Sequence, residues 1–213
     1  MLALVPSRGW NYHTVNVNPA LTVSLYADPN LVNNTRALIA SVVSGTVPTV
    51  LTSSTSVYDN LAGALGIVTD GSNNATIVSE ISAGSSAAVP GTPLFAPGSL
   101  TVGQTWSPYP GATATVVAVG AMPNANACPN PVPGAQIRFT YAGYDQTGSF
   151  VPGCGITDWK NNTNGAEFAL ASVGSYGTLG QLHSRVQAVT LLDTARSLLG
   201  LERNPSFKPI PGF

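Results

Sequence analysis

Residues 128–154 read CPNPVPGAQIRFTYAGYDQTGSFVPGC, and the chain's only two cysteines stand at the ends of this stretch. Between them Ile137, Phe139 and Tyr141 alternate with Arg138, Thr140 and Ala142. That is the period-two pattern of a strand with one covered face. Asp145-Gln146-Thr147-Gly148 has the residue types of a hairpin turn, and a second strand is expected over 148–151. Pro and Gly flank both cysteines, so each is expected in a loop at the open end of this hairpin. Antiparallel geometry brings those two ends together.

A Cys128–Cys154 disulfide is therefore expected, with two buried thiols as the alternative. In the chain-entropy account the bridge stabilises by about 3–4 kcal/mol, and it implies an oxidising compartment. A zinc site needs about four ligands at suitable spacing. Neither cysteine has a CxxC neighbour, and the two histidines, His13 and His183, lie far off in sequence. A catalytic cysteine would need a partner base that nothing here supplies. No metal and no cofactor are expected. The oxygen-rich run 158–165, DWKNNTNG, fails as a calcium loop: with Gly165 at the sixth place, Lys160 and Ala171 fall where acidic ligands belong.

On both sides of the bracket the pattern is again β. Strands are expected over 112–120, 135–144 and 166–173, and earlier over 12–17, 21–26 and 75–81. Asn18-Pro19 reads as the turn of an N-terminal hairpin. Asp28-Pro29 starts an apolar spacing of three and four through Leu31, Thr35, Leu38, Ile39, Val42 and Val43, which predicts a helix near 29–43. A short strand over 46–52 and a shorter helix over 57–66 follow. Residues 83–110, rich in Ser, Gly and Pro, read as a long connection that lies against something, because Leu94, Phe95, Leu100, Val102 and Trp106 need cover. Leu182, Val186, Val189, Leu192, Leu198 and Leu199 predict a C-terminal helix near 181–199, stopped by Gly200. The fold class expected is α+β: a predominantly antiparallel, sandwich-like sheet covered by these two helices. The chain reads as a single domain, with sub-lobes at 1–82 and 111–200 and an extended tail at 201–213.

Charge sets the functional limits. Asp, Glu, Lys and Arg make up 8% of the chain, against about 25% in ordinary soluble proteins. Residues 81–137 contain none of them. A surface of Ser, Thr, Asn and Gln avoids the desolvation cost of ions and suits packing against copies of itself. The net charge of −1, with thinly spread basic residues, argues against nucleic-acid partners. No run approaches the roughly 18 apolar residues of a membrane-spanning helix. The start, MLALVPSRGW, is too short and lacks the basic region of a signal peptide.

Three functional readings follow. The first is a non-enzymatic extracellular subunit that assembles into a filament, layer or shell, adding a strand to a neighbour through an extended terminus. Its expected contacts are Tyr12, Val15, Val17, Leu21, Val23 and Leu25, with Phe207 and Phe213 in the tail. The second is a secreted module that binds carbohydrate or a surface through Trp10, Trp106, Tyr109 and Trp159. The third is a secreted hydrolase drawing on His183, Asp158 and Glu167. Serine chemistry lacks a GxSxG elbow, and among Asp59, Asp70, Glu80, Asp145, Asp158 and Glu167 no sequence feature pairs two carboxyls.

Overall fold

Among the described residues, alternating and β-branched segments form twelve strands, in chain order β1 (Arg8–Val15), β2 (Thr22–Ala27), β3 (Arg36–Ser44), β4 (Gly63–Thr69), β5 (Ala75–Ser82), β6 (Ser85–Ala88), β7 (Thr105–Trp106), β8 (Thr113–Gly120), β9 (Gly134–Tyr141), β10 (Tyr144–Val151), β11 (Gly155–Asn161) and β12 (Glu167–Ser175). This computed structural model describes residues 8–15, 22–27, 36–44, 63–69, 75–82, 85–88, 99–108, 111–163 and 165–175. The strands form one sheet in the order β6-β5-β4-β3-β2-β1-β12-β11-β10-β9-β8-β7. Every pairing in it is antiparallel. Strands consecutive in the chain are neighbours throughout, with one exception. β1 pairs with β12, and the step from β6 to β7 is the one left unpaired. The topology is thus an up-and-down meander turned into a ring and opened at a single seam.

Cross-strand rows separate the two faces of the second half. Ile137, Gly148, Trp159 and Phe168 lie side by side across β9, β10, β11 and β12. Arg138, Thr147, Lys160 and Glu167 form the adjacent row on the opposite face. Ile137 and Phe168 are buried, whereas the Arg138 and Lys160 side chains are about half exposed. On these four strands the inner face is apolar and the outer one charged. Among the described residues no helix is long and apolar enough to span a membrane.

The sheet folds back on itself where β11 meets β12. Only Asp158, Trp159 and Lys160 pair across that step, so the carbonyls at the start of β11 have no β12 partner in the ladder. Side chains from β1 meet them: the Trp10 indole N–H donates to the Cys154 carbonyl at 2.7 Å, and the Tyr12 hydroxyl to that of Ile156 at 2.9 Å. Arg8 donates to the Gly153 carbonyl. β1 and β11 flank β12 on opposite sides, so these bonds require the two layers to face one another. Leu25 of β2 packs against both apolar clusters. One cluster gathers Trp10, Tyr12, Phe168 and Leu170 with Met122, Val151 and the cystine. The other gathers Ala114, Ala135, Ile137 and Phe150, with Trp106, Phe139 and Trp159 packed on it.

Several expectations are corrected here. Residues 36–43 are strand β3, not helix: β3 lies inside the sheet and pairs on both sides with β2 and β4. A strand in that position can be apolar on both faces, and the resulting run mimics helical spacing. Its β-branched Ile39, Val42 and Val43 suit a pleated surface. Residues 63–66, expected to be helical, open β4. The connection 83–110 contains two short strands, β6 and β7. The hairpin turn is Ala142-Gly143 rather than 145–148, and both of its residues have positive φ, 39° and 91°, the mirror-image turn that matches strand twist. Residues 28–35, the strand expected over 46–52, residues 57–62, the helix near 181–199 and the tail 201–213 lie outside the described residues. The expected sub-lobes 1–82 and 111–200 both contribute strands to the one sheet, joined at β1–β12.

Candidate functional site: an open seam between the sheet edges

The expected disulfide is present, with Cα atoms of Cys128 and Cys154 5.6 Å apart. It fixes the loop 121–133, which leaves β8 and crosses to the far strands. A 3-10 turn (Ala125–Ala127) within this loop touches β12, and Asn124 donates to the Asp158 carboxylate at 3.1 Å. Asn124 holds a left-handed conformation, φ 55°, which asparagine tolerates better than most residues. Both cysteines are buried, so the bridge is a staple.

The aromatics chosen for binding are mostly enclosed. Trp10 is 2% exposed and Tyr12 5%, and burial pushes the Tyr12 phenol far above its ordinary range, so it stays a neutral donor. Trp159 stacks on Phe139 at 5.6 Å between ring centres and meets Phe150 edge-on. Its indole N–H is held by Gln146. Trp106 packs against the same cluster with its Nε1 buried and without an acceptor among the described residues. Tyr109 lies outside the described residues.

Among the carboxyls, Asp158 and Glu167 do come together. Lys160 stands directly opposite Glu167 and pairs with it at 3.6 Å. Asp158 is 6% exposed. Burial lifts its carboxyl to about 6, the Glu167 charge and a hydrogen bond to Glu167 push the same way, and Lys160 and Asn124 oppose them. His183 lies outside the described residues. Asp145 is engaged elsewhere: Arg138 and Asn162 donate to it and hold its carboxyl down at about 2. Among the described residues no three His, Cys, Asp or Glu side chains gather as a metal site.

Of the expected assembly contacts, Tyr12, Val23 and Leu25 sit on β1 and β2 with partners on both sides, and Val15 pairs with Glu167 of β12. Val17, Leu21, Phe207 and Phe213 lie outside the described residues. Among the described residues, the backbone without a second strand partner is at the seam. β7 covers only part of β8: Thr105 and Trp106 pair with Thr115 and Ala114, and Gly103 and Gln104 bond Val116. Among the described residues, 117–120 pair only with β9. A bulge between Val116 and Ala118 turns Val117 outward. Val102, Val117, Val119 and Val132 are exposed, at 62, 39, 49 and 44%. Beside this edge runs an apolar groove of about 400 Å³ walled by Leu100, Val119, Pro133, Ala135 and Pro152. The sequence signal for it was the adjacent pair Val116-Val117, which breaks alternation inside TATVVAVG.

Comparison with protein families, with characterised proteins and with solved structures finds no match for this chain.

Proposed function

We propose that this protein is a non-enzymatic structural subunit that assembles with copies of itself, outside the cell, through sheet edges. One observation carries the reading: β6 and β7–β8, the two edges of the sheet, both fall within the uncharged run 81–137. Natural sheet proteins guard exposed edges with Lys, inward charges, Pro or covering segments. Here an edge with exposed valines has no charge on it or on the loop beside it. The disulfide fits an oxidising compartment and so supports an extracellular setting. A carbohydrate module is less favoured, since Trp10 is buried and the partly buried Trp159 already stacks on Phe139.

Electron microscopy and light scattering of the full chain, purified without reductant, test this. Regular filaments, layers or shells are expected. A monodisperse monomer across the accessible concentration range would refute the proposal.

A further inference from the structure

We infer that the chain cuts itself between Asn124 and Ala125, with the side-chain amide of Asn124 as nucleophile and the Asp158 carboxylate as its base. This goes beyond the assembly reading and does not depend on it. Three observations carry it. First, Asn124 Nδ2 donates to Asp158 Oδ1 at 3.1 Å, the ground-state geometry for handing a proton from the attacking nitrogen to a base. That nitrogen and the main-chain carbonyl carbon it attacks belong to one residue and close a five-membered ring, so their proximity is built in. Second, the carbonyl oxygen of Asn124 accepts from the Ala127 N–H at 3.1 Å. A fixed donor on this oxygen polarises the carbonyl and meets the negative charge that forms there. Third, the N–H of Ala125 is turned to the Met122 carbonyl at 3.4 Å, away from the Asn124 side chain, which favours attack by Nδ2 over attack by the backbone nitrogen. The Cys128–Cys154 bridge staples this loop in place.

Asp158 suits the role. It is buried, and its carboxyl is lifted to about 6, so it is ionised at pH 7 yet holds a proton better than an exposed aspartate. Lys160 on β11 and Glu167 on β12 are its charged neighbours. On β10 it faces Ser149, and His13 of β1 shares its cross-strand row beyond Ala169. Loop 121–133 brings no charged side chain. In the reaction, Nδ2 gives one proton to Asp158 and bonds to the Asn124 carbonyl carbon. The bond from that carbon to the Ala125 nitrogen then breaks, and Asp158 returns the proton to the leaving nitrogen. The products are a C-terminal succinimide at residue 124 and a free amino terminus at Ala125, with no atom lost; water later opens the ring. The cut falls between β8 and β9, and both cysteines stay in the second fragment. The β8–β9 and β1–β12 ladders join the fragments, so the cut shows on denaturation.

The full chain, purified without reductant, is incubated at pH values from 5 to 8, denatured and read by mass spectrometry. Two fragments in place of the 21.8 kDa chain are expected, one ending at residue 124 as succinimide or its hydrolysis product, the other starting at Ala125. Asn126 and Asn130, exposed in the same loop, should stay uncut. The rate should rise through about pH 6 as Asp158 ionises. Asp158→Asn, of nearly equal volume, should slow the cut about a hundredfold and remove that rise. Asn124→Gly, which keeps the left-handed backbone, should abolish it, with melting curves showing both variants folded. An uncut parent chain would overturn the proposal, as would a folded Asp158→Asn chain that cuts at the parent's rate. A parent rate without an inflection near pH 6 would do the same without recourse to any variant. Conversion of Asn124 to aspartate or isoaspartate in an intact chain would also overturn it, since the backbone nitrogen would then be the nucleophile.

Discussion

Gly148 shows how one position is fixed by its neighbours rather than by its own conformation. A Cβ there would lie 2.7 Å from two atoms of the Trp159 ring and 2.8 Å from Phe150. Glycine lets the indole lie flat across β10 and stack on Phe139. Gly148→Ala is expected to destabilise by about 1–3 kcal/mol through overpacking. It should also change the near-ultraviolet signal of Trp159, with thermal melting and circular dichroism as the readouts. A variant as stable as the parent would show that the ring cluster yields. Asp158 gives a second residue-scale expectation, in pH. Its carboxyl titrates near 6 in the fold, against an ordinary value of 3.8, so the folded chain binds that proton more tightly than the unfolded chain. Its contribution to stability is full below about 4, declines as pH rises to about 6 and is lost above. Asp145 acts in a different window: its depressed value near 2 gives a contribution present above 3.8 and lost as pH falls through about 2. Urea midpoints should therefore fall between pH 4 and 6. Asp158→Asn should flatten that slope and gain about 1–2 kcal/mol at pH 7, allowing for solvent screening. A parallel slope in the variant would rule this out.

The loop 121–133 and its cystine act as one element. The bridge spans 26 positions and holds Asn124 over Asp158, in the cluster that contains Trp10 and Tyr12. Replacing both cysteines by serine should cost about 3 kcal/mol. For a chain of this size that is a fall in Tm of about 6–12 °C, readable by calorimetry. Reductant should lower Tm in the parent and leave the double variant unmoved. How far each element could be read from sequence follows from its place in the sheet. β9 was legible because one face is covered and the other wet, which writes alternation into Ile137, Arg138 and Phe139. The Pro/Gly-flanked cysteines were legible for the same hairpin geometry. β3 was not, because pairing on both sides hides the period that separates strand from helix. The turn was misplaced because Asp145 and Gly148 are turn residues by type. In the structure Asp145 binds Arg138 within a ladder, and Gly148 makes room for an indole. β6 and β7 were hidden by their brevity and by their serine, alanine and threonine. The seam they form could not be located without the strand order.

At the scale of the whole molecule, the distribution of charge decides how association should respond to solvent. The ion pairs Arg138 with Asp145 and Lys160 with Glu167 stand on β9–β12, whereas Arg8, Arg36 and Glu80 stand on β1, β3 and β5. The strands at the seam, β6 and β7–β8, carry no charged residue, because residues 81–137 have none; Arg138 on β9 and Glu80 on β5 are the cross-strand neighbours of Thr115 and Ala87. Assembly held by opposite charges weakens as salt shortens the Debye length from about 10 Å at 0.1 M to about 3 Å at 1 M. Assembly held by backbone pairing and valine burial lacks that term, and excluded salts such as sulfate strengthen apolar burial. Raising sodium chloride from 0.02 to about 1 M at pH 7 should therefore leave the assembled fraction within about twofold, and ammonium sulfate should increase it. Light scattering on the same sample follows both. Dissolution by sodium chloride would place the contact on the charged face of β9–β12 instead. With no titrating group on either edge strand, assembly should also hold steady between pH 4 and 6, where the stability of the fold itself changes through Asp158.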